Sequence, residues 1–194
     1  RRSLLEEFRT HVLPVMGLPP SQMVETLESY AEGLAIVKKA QYAAVSDSEA
    51  VNHHLTCLNR IDNNDWIPPV LHFLKQRMDS PKQVAQFVKM MERLASFMHV
   101  CAYNVNDRIE RYGRIIRELD QPGCSLPSSV NLTSSEQSAF IKALDGNIYE
   151  MTARRRNYAI LRLDSFCSDG AATYDHSILT IEHVLPQTVE EGSE

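Results

Sequence analysis

Near the C-terminus a carboxylate stands beside an imidazole, Glu182-His183, within the run Thr180-Ile181-Glu182-His183-Val184-Leu185-Pro186-Gln187. A histidine with a pKa close to neutrality can take a proton from water, and a carboxylate is a hard oxygen ligand suited to Mg²⁺. A metal ion that stabilises charge on phosphoryl oxygens, with such a base nearby, is equipment for cleaving a phosphodiester. Adjacent residues on a strand point to opposite faces, so these two side chains share a site only where the strand end twists or bulges.

Other chemistry-bearing residues have plainer readings. His53-His54 on a helix diverge by about 100° and cannot both face one metal, which predicts a surface or partly buried pair. Asp175-His176 reads as a solvated loop before the strand. Arg108, Arg111, Arg114 and Arg117 recur beside Glu110 and Glu118. That spacing predicts a mixed-charge solvated face, with a phosphate-contacting ridge as the alternative. Met90, Met91 and Met98 read as core filler. Cys57, Cys101, Cys124 and Cys167 form no C-x-x-C pair, which argues against a zinc ribbon and a dense disulfide framework and suits reduced thiols. The formal charge of −5 gives no global attraction to nucleic acid, so phosphate contacts would need a local basic patch. The run Arg1-Arg2-Ser3-Leu4-Leu5-Glu6-Glu7 turns acidic too early to read as a signal peptide and no apolar stretch approaches membrane-spanning length, so the expectation is a soluble, cytoplasmic protein without a membrane partner.

The elements that must position these residues are helical. Leu4, Leu5, Phe8, Val12 and Leu13 share one face of a first helix, ended by Gly17 through Pro20. From Ser21, apolar residues at helical spacing predict a long helix to about Val45, and Ser46 through Glu49 supplies a break and a new cap. Val51 to Ile61 line a short helix, and Trp66-Ile67-Pro68-Pro69 opens the next. Ser80-Pro81-Lys82-Gln83 has the form of a capping box before a stripe running from Val84 to Ala102. Further helices are expected through Ile109 to Leu119, behind the capping box Thr133-Ser134-Ser135-Glu136 to Gly146, and from Met151 to Phe166 with a basic side. Ser177 through Pro186 is rich in β-branched and apolar residues and predicts one short strand ending in a turn.

Arg154-Arg155-Arg156-Asn157-Tyr158-Ala159-Ile160-Leu161-Arg162-Leu163-Asp164, followed by Thr180 through Gln187, resembles the start of the C-terminal HNH-like domain of GmrSD-type restriction endonucleases. There a basic helix ending in a leucine-rich turn precedes an I-E-H-I-L-P-Q strand. The resemblance implies a mainly all-α chain. Residues 1–148 would be a helical bundle, and 149–194 the truncated start of a ββα-metal HNH domain with its short β element. His183 would be the general base, Glu182 a metal ligand, and Pro186 the shaper of the turn. Arg154, Arg155 and Arg156 would lie beside a nucleic-acid cleft, although a solvated helix face remains an equal alternative.

The full-length parent would be a Mg²⁺- or Mn²⁺-dependent DNA endonuclease of the restriction-modification type, working with an upstream ParB/Srx-like nucleotidase domain. An HNH site also needs a following asparagine and a further histidine or asparagine, yet the eleven residues after His183 contain neither. The chain therefore reads as a truncated fragment, inactive by itself and holding no metal. The competing expectation is a non-catalytic helical scaffold or interaction module whose terminal strand is structural.

Overall fold

A computed structural model of the chain describes residues 3–168. They are mainly helical, as expected, and contain no strand. The predicted strand over 177–186, with Glu182 and His183, lies outside the described residues, as does Asp175-His176.

The first helix is interrupted. α1 (Leu4–Glu7) and α2 (Leu13–Met16) flank a π-helical turn at Phe8–Val12. Pro14 has no N–H with which to continue the ladder, which suits a widened turn just before it. Gly17, at φ 57°, stops the run in the left-handed region. α3 (Pro20–Lys39) follows and ends short of the expected Val45. The reason is tertiary. Asn52 accepts from the Tyr42 N–H at 2.7 Å and donates to its carbonyl at 2.9 Å, drawing the chain after Ala40 out of helix and burying the Tyr42 ring.

α4 (Ser48–Asn59) and α5 (Ile67–Arg77) begin where the turn chemistry places them, with both prolines of α5 in its first turn, but Asp47 at the N-cap of α4 is left-handed at φ 62° and makes no side-chain cap bond, so the expected cap there does not form. α6 (Pro81–Val100) begins on Pro81, but the Ser80 hydroxyl makes no cap bond, so the expected capping box there does not form. At ψ 73°, Ser80 lacks the extended backbone that turns a cap side chain toward the first N–H groups. α7 (Val105–Leu119) is capped by Asn104. α8 (Ser134–Asp145) carries a complete capping box between Thr133 and Glu136, and α9 (Ala153–Cys167) closes the described chain. Thr133→Ala removes that cap and is expected to lower stability by about 1 kcal/mol, measurable as a lower urea midpoint at unchanged slope.

α6 is the central helix, packing on α4, α5, α8 and α9. From Leu94 to Val100 every residue is buried, so the helix is enclosed on all sides there. Trp66, Phe73, Phe87 and Met91 fill the middle, with Phe73 and Phe87 stacked at 4.0 Å. Tyr158 of α9, beyond the expected boundary at residue 148, joins the same core cluster. The outer layer is less covered. Leu4 is 88% exposed, and Val24, Leu27 and Leu34 leave an apolar stripe of α3 in solvent. No helix among the described residues is long and apolar enough to cross a membrane.

Candidate functional site

Glu92, Ser96 and His99 fall four and three residues apart on the central helix, so they form one polar line along α6. Glu92 is only 5% exposed, and a carboxylate so buried must be partnered. Arg162 of α9 supplies a two-pronged pair, Nε to Oε1 at 2.9 Å and Nη2 to Oε2 at 3.2 Å. The Tyr158 hydroxyl donates to Oε1 at 3.2 Å and shares a short hydrogen bond with Ser96. From α4, His54 Nδ1 stands 3.5 Å from Oε2. That is an electrostatic contact, since Nδ1 has no aligned hydrogen-bond partner among the described residues. His53 Nε2 lies 3.4 Å from Arg162 Nη1 and 3.9 Å from Cys57 Sγ.

Burial pushes the Glu92 carboxyl up, but contacts from His54 and Arg162 outweigh it and bring the pKa to about 2. Burial lowers His53, helped by the Arg162 charge, and burial also lowers His99 against the pull of Asp62. Burial raises Tyr158 well above the ordinary phenol value, and the Glu92 charge adds to it. These directions fix a pH dependence. Lowered histidines favour the neutral ring in the fold, so stability starts to fall as pH drops below about 6.5. The Glu92 contribution is complete above the unfolded carboxylate value and is lost as pH falls from about 4.5 toward 2. Urea midpoints taken from pH 7 to pH 3 are expected to decline throughout, and a flat profile would contradict the assignment.

Above this cluster a cavity of about 600 Å³ opens between α4, α6, α8 and α9. Phe140 and Leu144 of α8 and Leu163 and Phe166 of α9 wall it, Lys89 and Arg93 of α6 stand at its edge, and the Glu92 cluster lies at its base. Arg162 also sits over the Phe166 ring at 4.0 Å from its centroid. No protein-family model, curated protein or solved structure matches the chain. The site's chemistry therefore rests on its own residues.

Of the residues read from sequence, Glu182 and His183 lie outside the described residues. The three arginines of α9 are described and divide. Arg154 is exposed and reaches Asp62 Oδ2 at 3.2 Å. Arg155 donates through Nε to the Val100 carbonyl at 3.0 Å and again through Nη2, so it caps the C-terminal end of α6. Arg156 is partly buried, and its Nε has no hydrogen-bond partner among the described residues.

The arginine ridge of α7 also turns partly inward. Arg108 pairs with Asp65 at 2.8 Å, and Arg111 binds Glu136 at 2.9 Å together with the Asn131 carbonyl at 2.7 Å. Arg114 pairs with Glu110 on the surface. Among the described residues no group of three or more His, Cys, Asp or Glu is placed to hold a metal ion. Sequence reasoning did not single out Glu92 or Ser96, and it read Tyr158 and Arg162 only as parts of the basic helix from Met151 to Phe166. The signal available in the sequence was Glu92 falling four residues after Val88 and one after Met91, at the edge of the apolar stripe of α6.

Proposed function

We propose that the chain is the helical region and the opening of the HNH-like domain of a GmrSD-type, metal-dependent DNA endonuclease. The observation that carries this is the motif pair itself, the Arg154 to Asp164 helix followed by Thr180-Ile181-Glu182-His183-Val184-Leu185-Pro186-Gln187. A helix at Ala153–Cys167 agrees with the first half of that pair. His183 would activate water, and Glu182 would help hold Mg²⁺ or Mn²⁺, which stabilises charge on the phosphate. The remaining ligands would come from further residues of the full-length parent, and an upstream nucleotidase domain would work with it.

Incubating the full-length parent with duplex DNA in Mg²⁺ or Mn²⁺, with and without a chelator, tests the reading. Chelator-sensitive strand cleavage is expected, and its absence under all metal conditions would overturn the nuclease assignment. The chain by itself is expected to bind duplex DNA weakly and with steep salt dependence, since its net charge is −5. Tight, salt-insensitive gel shifts would contradict that. A second reading, a non-catalytic helical interaction module, is favoured by the uncovered stripe of Val24, Leu27 and Leu34 on α3.

A further inference from the structure

We propose that the cavity between α4, α6, α8 and α9 binds a small amphipathic organic anion, its apolar body against Phe140, Leu144 and Phe166 and its headgroup at Lys89 and Arg93. The inference goes beyond the nuclease reading and stands without it, because no residue of the Thr180 to Gln187 motif takes part.

Size comes first. About 600 Å³ lies in the middle of the range of small-molecule sites. Charge comes second. The residues lining the cavity include three permanent cations, Lys89, Arg93 and Arg162, against one carboxylate, Glu92, which Arg162 already neutralises through two hydrogen bonds. Lys89 and Arg93 remain, one turn apart on α6, both exposed and with no ion pair among the described residues. This excess of positive charge sits in a chain whose net charge is −5.

The apolar side is equally one-sided. Leu144, Leu163 and Phe166 are among the exposed large hydrophobics, at 44%, 62% and 66%, and all three face this opening. Apolar side chains left in water beside unpaired cations match a ligand with a hydrocarbon or aromatic body and a carboxylate, sulfonate or phosphate end. The base of the cavity is preorganised for such a guest. Glu92 holds the Arg162 guanidinium from below, and Arg162 covers the Phe166 ring, so little must be ordered on binding. A bare metal ion does not suit these walls, since no set of three ligand side chains converges among the described residues.

The probe is anilinonaphthalene sulfonate, an aromatic sulfonate, titrated by fluorescence into the 194-residue chain, with uncharged phenylnaphthylamine as its counterpart. Saturable binding of the sulfonate is expected. Lys89→Glu/Arg93→Glu should weaken it by about tenfold or more while leaving the uncharged probe unchanged. Ala159→Trp, placed in the cavity wall, should abolish both signals, whereas Leu27→Lys/Leu34→Lys on the α3 stripe should alter neither. The charge variants lie on exposed surface, so they decide the question even where Ala159→Trp fails to fold. Failure of the sulfonate to bind, indifference to charge reversal, or loss of signal in the α3 variant would each overturn the proposal.

Discussion

His183→Ala in the full-length parent is expected to lower DNA cleavage by about 10²–10⁴-fold, the usual cost of removing a positioned general base. The loss should fall on kcat, because an imidazole that takes a proton from water acts in the chemical step and contributes little to holding DNA. Circular dichroism and the thermal midpoint should be unchanged, which separates the loss of a base from the loss of the fold. In the isolated chain the same change should alter nothing catalytic, because a hard ion held by a single carboxylate stays mostly hydrated. Cleavage assays with Mg²⁺ or Mn²⁺ on both proteins, wild type and mutant, supply the check. Undiminished cleavage by the full-length mutant would eliminate His183 as the base. Vigorous metal-dependent cleavage by the wild-type chain alone would locate the site in other residues.

Glu92→Ala is the substitution expected to harm the fold most. It leaves the largely buried Arg162 guanidinium without its carboxylate and strips Tyr158 and Ser96 of a shared acceptor. Breaking a buried pair from one side costs about 3–5 kcal/mol, a large share of the stability of an ordinary domain. Most of that cost is the stranded charge, so Glu92→Met/Arg162→Met should recover the greater part of it. Urea unfolding of the two single variants and the double variant gives the coupling directly. Additive losses would mean that Arg162 finds water in place of Glu92, and that the cluster at the base of the cavity is less enclosed than its geometry requires.

The helices were legible wherever their signals are local. Pro68-Pro69, Pro81 and the Thr133-Glu136 capping box act within a single turn, so the openings of α5, α6 and α8 are written in a few adjacent residues. The stripe on α6 likewise follows from the 3.6-residue period alone. Where a helix stops is less local. The end of α3 depends on Asn52, which binds the Tyr42 backbone from ten residues away, and periodicity between Ala40 and Val45 carries no trace of that competitor.

By itself the sequence determined the helical class, the starts of most helices and the motif Thr180 through Gln187, whose chemistry is read from residue types and a resemblance. Only the tertiary structure decided which charges are buried and what they meet. Arg162 and Glu92 are 70 residues apart, and no spacing rule joins them. A periodic pattern identifies which face of a helix is apolar but not which helix covers it. Polar residues on α6 therefore look like an ordinary solvated edge until α4 and α9 close over them. The same reason explains the opposite outcome on α3, where Val24, Leu27 and Leu34 have the spacing of a core face and lie in solvent because no described element packs over them. Burial is a property of the partner as much as of the residue, and the partner is set by the whole chain.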